Sequence, residues 1–139
     1  INQELMKEEE KGRYNLKLYE DYSKKCYDTK NIVAEKINNY RKLNKKIIGF
    51  GAAAKGNTFL NFCKLDLDYI VDENENKQKL YSPGMNIPVR NLKYFLEEKE
   101  EVVCVILAWN FSEEIVKKIK SKRNYKDKII VFYPKYKEF

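Results

Sequence analysis

The stretch Ile47-Ile48-Gly49-Phe50-Gly51-Ala52-Ala53-Ala54-Lys55-Gly56-Asn57-Thr58 constrains the fold of this chain more than any other. A short β-branched run ends in a Gly-x-Gly turn, and an apolar helical pattern continues through Phe59, Leu60 and Phe62. The order is strand, glycine turn, helix. Such a turn lets backbone N–H groups face an anion at a helix N-terminus, where the macrodipole is also favourable. Small residues let a ligand approach the backbone closely, and Lys55 adds a full positive charge. The expected occupant is a phosphate or pyrophosphate.

The same alternation continues downstream. Strands are expected at 67–71, closed by Asp72, at 102–107, and at 128–133, stopped by Pro134. Residues 102–107 are apolar on both faces, as a central parallel strand should be. Ile87-Pro88-Val89 is a short extended piece whose proline suits a sheet edge. Helices are expected at about 53–63, at 92–97 capped by Asn91, and from Ser112 as cap to about Lys120, with Glu113 and Glu114 in the first turn. Upstream, Tyr22, Cys26, Val33, Ile37 and Tyr40 fall mostly on one face of a helix over about 22–43. Asp28-Thr29 marks a break in it or a fresh N-cap. Residues 1–20 read as a solvated helix or a frayed connector.

The fold class is therefore α/β: a Rossmann-like, mostly parallel sheet flanked by helices and preceded by a long N-terminal helix. Two parts are expected, a helical segment over 1–44 that connects to an upstream domain and the sheet domain over 45–139. The first residue is Ile1 rather than a start methionine, so a piece of a longer protein is expected.

Composition removes several function classes. The chain has no histidine, which excludes a His-based triad, a His metal site and an imidazole base within it. Cys26, Cys63 and Cys104 form no C-x-x-C pair, so metal binding and a disulfide framework are not expected, and a reducing cytoplasm fits. Cys63 and Cys104 lie in apolar runs and read as core thiols. The net charge of +7 comes from lysines spread over every segment with Glu interleaved. It reads either as composition or as attraction to an anionic partner. No clustered basic stripe points to nucleic acid, and no apolar run approaches the ~18 residues of a membrane span.

Gly49, Gly51 and Ala54 satisfy G-x-G-x-x-A, and Asp72 ends the second strand about 20 residues later, as in a dinucleotide fingerprint. The continuation Lys55-Gly56-Asn57-Thr58 departs from that pattern and is not a Walker A loop either. Ligands of such sheets sit beyond the carboxyl ends of the strands. Gly51–Thr58, Asp72 with its following loop, and Ala108–Phe111 are accordingly expected to line one crevice. Asp72 reads as an acceptor for ribose or sugar hydroxyls, or as a strand-end turn residue. Tyr81 with Pro83-Gly84 forms a wall over a ligand, or an ordered surface loop. Trp109-Asn110 is an aromatic platform beside an amide, or a packed Trp followed by a chain-turning Asn.

Several blocks together carry a resemblance. Ile48-Gly49-Phe50-Gly51-Ala52-Ala53-Ala54-Lys55-Gly56-Asn57-Thr58 resembles the G-Y-G-A-x-A-K-G-N-T signature of the C-terminal domain of sugar C-methyltransferase-type SAM-dependent enzymes. Asp68-Tyr69-Ile70-Val71-Asp72-Glu73-Asn74 with Lys77-Gln78 looks like that family's D-Y-x-V-D-x-N and K-Q. Tyr81-Ser82-Pro83-Gly84-Met85-Asn86-Ile87-Pro88-Val89 resembles its Y-x-P-G-x-x-I-P-(I/V). Leu107-Ala108-Trp109-Asn110-Phe111 with Glu114-Ile115 is similar to its L-(A/P)-W-N-(F/L)-x-x-E-I. Ala53 stands where many relatives have proline, and Phe50 where most have tyrosine.

The resemblance implies a three-part protein. A zinc-binding region and a SAM-binding domain that carries the catalytic base precede a Rossmann-like C-terminal domain, which holds a nucleotide-sugar against the middle domain. No catalytic residue, zinc site or SAM site is then expected in this chain, and no methylation by it alone. Carried over by motif, Gly51, Ala52, Lys55, Gly56, Asn57 and Thr58 are the diphosphate-side residues. Asp72, Tyr81, Trp109 and Asn110 belong to the same cleft. The implied partners are a nucleotide-diphosphate sugar or a similar anionic small molecule, and the upstream domains of the same polypeptide. Two rival readings stay open: a small NAD(P)- or nucleotide-binding Rossmann module, and a structural domain whose long N-terminal helix drives dimerisation.

Overall fold

A computed structural model describes residues 2–139. The sheet has six strands: β1 Lys46–Phe50, β2 Tyr69–Val71, β3 Val89–Arg90, β4 Val102–Ile106, β5 Lys128–Val131 and β6 Lys137–Glu138. Their spatial order is β3-β2-β1-β4-β5-β6, the doubly wound order whose topological switch point lies between the paired strands β1 and β4. β1 to β5 are mutually parallel and β6 is antiparallel to β5. Phe50 stands level with Val71 on one side and Ile106 on the other, so the carboxyl ends of β1, β2 and β4 finish together. β4 is buried at all five positions, as its run of Val, Cys and Ile requires.

Alternate strand residues point to opposite faces, which divides the core in two. On one face Val33, Ile37, Leu60 and Cys63 cover Ile47, Ile70, Val103, Val105 and Ile130. On the other, Phe95, Ile115, Val116 and Ile119 cover Ile48, Val71, Cys104, Ile106 and Ile129. The first face is roofed by α2 (Leu16–Lys42) and α3 (Ala54–Cys63), the second by α4 (Leu92–Leu96) and α5 (Ser112–Lys122). A short helix, α1 (Asn2–Glu10), precedes them. Cys63 and Cys104 are buried as expected; burial pushes the Cys63 thiol up to about 11 and the Cys104 thiol up as well, so neither is a thiolate at neutral pH. No helix among the described residues is long and apolar enough to cross a membrane.

Several local expectations need correction. α2 is one unbroken helix of 27 residues, ~40 Å long at 1.5 Å per residue. Thr29 does not break it, because its hydroxyl donates to the Lys25 carbonyl one turn back (2.9 Å). Only the carboxyl-terminal half of α2 packs on the sheet: Val33 and Ile37 are buried, whereas Tyr22 is 59% exposed. Ser112 is the first residue of α5, with Phe111 in the cap position and no side-chain cap bond. Asn91 caps α4 as expected, accepting from the Tyr94 N–H (2.9 Å). β6 has no counterpart in the expected elements. The chain turns through Tyr133-Pro134 and returns beside β5, where Tyr40 and Tyr136 both donate to the Glu138 carboxylate. This clamp ties α2 to the sheet edge.

The amino ends of the strands are closed by buried charge. The Arg123 guanidinium, 1% exposed, donates to Asp127 (2.6 and 3.0 Å) and to the carbonyls of Phe95, Glu98 and Glu100 (each 2.9 Å). Asp127 also accepts from the Val102 N–H (3.0 Å) at the start of β4. At the start of β1, Asp68 accepts from the Ile47 N–H (2.7 Å) and from Arg41 (2.8 Å).

Candidate functional site

The β1–α3 junction lies at the opposite, carboxyl edge. Gly51 has φ +90°, a backbone state that favours glycine, and an added Cβ would meet Ala108 Cβ at 2.6 Å. Gly56 is buried on α3 with Leu107 beneath it; an added Cβ would stand 2.6 Å from Leu107 Cβ and 2.8 Å from its carbonyl oxygen. Both glycines therefore serve close packing of the turn and α3 on the end of β4.

The turn amides do not all face outward. Gly51 N–H donates to Val71 O (2.7 Å), Ala52 N–H to the Asp72 carboxylate (2.7 Å) and Ala53 N–H to Gly51 O (2.8 Å). The expected cradle thus loses the amides of Gly51 and Ala52. What remains is the first turn of α3. Ala53 occupies its cap position without a side-chain bond, Asn57 N–H is the first to bond back, to Ala53 O (2.9 Å), and the amides of Ala54, Lys55 and Gly56 are left as the orphan donors of a helix start. Lys55 is exposed on that turn.

Asp72 is 9% exposed. One of its carboxylate oxygens accepts from Ala52 N–H and, at 3.4 Å, from the Lys77 ammonium; the other accepts from Asn74 N–H (2.8 Å). Lys77 also donates to Ala52 O (2.9 Å), and Gln78 to Asp72 O (3.2 Å). Asp72 thus holds two loops together, which is the turn-residue reading of that position.

A cleft of about 240 Å³ opens beside α3. Ala52, Ala53 and Asn57 form one side; Lys77, Leu80, Tyr81 and Pro83 form the other; Ile70, Val89 and Leu107 lie among its lining residues. The far wall is held by buried Ser82, whose hydroxyl accepts from Ile87 N–H (3.0 Å), and by a Tyr81–Pro88 bridge. Asn61 ties it to α3, donating to Asn57 O (2.9 Å) and Pro83 O (3.0 Å).

Of the residues singled out from sequence, Ala52, Asn57 and Tyr81 line the cleft. Gly51, Gly56 and Asp72 shape it through packing and hydrogen bonds, and Lys55 stands on the open helix turn. Thr58 donates back to Ala54 O (3.2 Å) along its own helix. Trp109 packs edge-on against Phe132 (5.3 Å) and tilted against Tyr133 (5.5 Å), while Phe59 stacks on Phe132 (3.6 Å). Asn57 and Phe59 are two residues apart, ~200° around the helix. The single crevice expected from three segments is therefore two surfaces, the cleft on one flank of α3 and an aromatic patch with Trp109 on the other. Asn110 is exposed next to Trp109. Lys77 was not among the singled-out site residues; its signal was its place in the Lys77-Gln78 block.

The layout is that of an α/β domain: a mostly parallel sheet with an open helix start and a cleft of about 240 Å³ at its carboxyl edge. The family model described as C-methyltransferase C-terminal domain matches residues 1–134, so the chain belongs to that family. The match includes the N-terminal helices as well as β1 to β5. No curated protein matches the chain. Among the described residues no group of three or more His, Cys, Asp or Glu is placed to hold a metal ion.

Proposed function

We propose that this domain holds the acceptor substrate for C-methyl transfer, a nucleotide-diphosphate sugar, with the diphosphate against the first turn of α3. The observation that carries the reading is the set of partnerless amides at Ala54, Lys55 and Gly56 beside a cleft of about 240 Å³. Helix starts of this kind take anionic oxygens, and Lys55 supplies an exposed positive charge. In the whole protein a SAM molecule bound in an upstream domain, itself preceded by a zinc-binding region, would supply the methyl group. The contribution of this chain is position: the acceptor carbon has to be presented in line with the donor, which is largely a matter of orientation. Three unpaired thiols support a reducing, cytoplasmic setting. The rival NAD(P) reading loses its main support, because the Asp72 carboxylate that would read a ribose is occupied by Ala52, Asn74 and Lys77.

Calorimetry with dTDP-glucose and UDP-glucose on the intact protein tests the proposal. Lys55→Ala is expected to weaken binding about two- to fivefold at low salt, the scale of an exposed charge pair, with the loss shrinking as salt screens it. Equal affinity at every salt concentration removes Lys55 from the site. Failure of the wild-type protein to bind either compound overturns the reading itself.

A further inference from the structure

We infer that the cleft takes the glycosyl part of the ligand rather than its phosphates, and that Asn57 and Lys77 are the residues that read it; this rests on the nucleotide-sugar reading above. The cleft walls are mostly apolar, with Ala52, Leu80, Pro83, Val89 and Leu107 among the lining. A phosphate placed there would give up its hydration against carbon. A pyranose ring has C–H faces and a hydroxyl edge, which suits an apolar wall carrying a few placed polar groups.

Two such groups are present. The Asn57 carboxamide oxygen is shut away from solvent and has no hydrogen-bond partner. A buried polar atom without a partner is a standing cost, relieved when a partner arrives. The terminal torsion of Asn is soft, so a small rotation presents the carboxamide to a hydroxyl in the cleft. Opposite it, the Lys77 ammonium is already held against Ala52 O (2.9 Å) and Asp72 (3.4 Å). An ammonium has three donors, and the third is left for the cleft. Because Asp72 neutralises Lys77, the pair favours a neutral hydroxyl over a second anion. The cleft thus offers an amide and a pre-ordered donor to neighbouring hydroxyls, while the charge-seeking group, the open turn of α3, lies at its rim.

The experiment compares dTDP with dTDP-glucose, and UDP with UDP-glucose, by calorimetry on the intact wild-type protein and on Asn57→Leu. In the wild type the sugar is expected to raise affinity about tenfold, the scale of one well-made hydrogen bond to a buried group. Asn57→Leu is expected to erase that gain and leave nucleotide affinity within about twofold. Equal loss for nucleotide and nucleotide-sugar places Asn57 at the phosphates and overturns the inference, as does a sugar that adds nothing to wild-type binding while the nucleotide still binds. No binding of any nucleotide would instead sink the parent reading. Asn57→Ala, with thermal melting of both variants, provides the same comparison if the leucine does not fold.

Discussion

The two edges of the sheet treat polar groups in opposite ways. At the amino edge Arg123 reaches three carbonyls and one carboxylate, and Asp127 reaches back to the first amide of β4. Charge is buried there and each group has its partners, so the edge is sealed. At the carboxyl edge three helix amides and the Asn57 oxygen are left without partners around an open cleft. Both edges are built from the same strands in the same register. The difference shows where the fold answers its own polar demands and where it leaves them for something else to answer.

The most forceful way to break this contrast is Arg123→Ala. It leaves the Asp127 carboxylate buried with only the Val102 N–H as partner, and removing one partner of a buried pair costs about 3–5 kcal/mol. Urea unfolding measures it; a loss below about 1 kcal/mol would mean that the amino edge is not the sealed end described. Next comes Gly56→Ala at the open edge. The new methyl meets Leu107 Cβ at 2.6 Å and its carbonyl oxygen at 2.8 Å, and overpacking of this sort costs about 1–3 kcal/mol. Thr58→Ala, two residues on and exposed, is expected to stay within about 0.5 kcal/mol. Equal effects at the two positions would show that α3 is not pressed on β4.

A smaller loss than at Arg123 or Gly56 concerns the clamp at the sheet edge. Burial, with the hydrogen bond to Glu138, pushes the Tyr40 phenol up to about 12. Burial raises the Glu138 carboxyl, but the bonds from Tyr40 and Tyr136, with the charges of Lys36 and Lys128, leave it below its ordinary value. A lowered carboxylate contributes stability that is present above its unfolded value of about 4.3 and is lost as pH falls through the folded one. Tyr40→Phe is expected to cost about 0.5–1.5 kcal/mol near neutral pH and to flatten the acid side of the stability profile. An unchanged profile would show that the clamp does not hold α2.

Much of the architecture was legible because it rests on local pattern. β1, β4 and β5 are apolar runs, and the β1–α3 junction is written in its glycines. Asn91 caps a helix with its own side chain. β6 was not legible, since Lys137 and Glu138 carry no apolar signal and become a strand only by pairing with Val131 and Ile130. The unbroken course of α2 hid for a related reason: Thr29 caps a new helix or bonds back into an old one with the same hydroxyl. At the site, the motif showed where to look and not what each residue does. The glycines answer to Leu107 and Ala108, some 50 residues away in the chain, and Lys77 reaches Ala52 only because β1 and β2 are neighbours.

Leu107 has a leverage that its position does not advertise. It lies beneath α3 at Gly56, its methyl would stand 2.7 Å from a Cβ added at Gly49, and it forms part of the lining of the cleft. A shorter residue there lets the helix settle and carries the phosphate-facing turn with it. Selectivity for a ligand can therefore drift through a change in the foundations, with every polar group of the cleft intact; Leu107→Val, assayed against the same nucleotide pairs, would reveal such drift as a changed preference without lost binding.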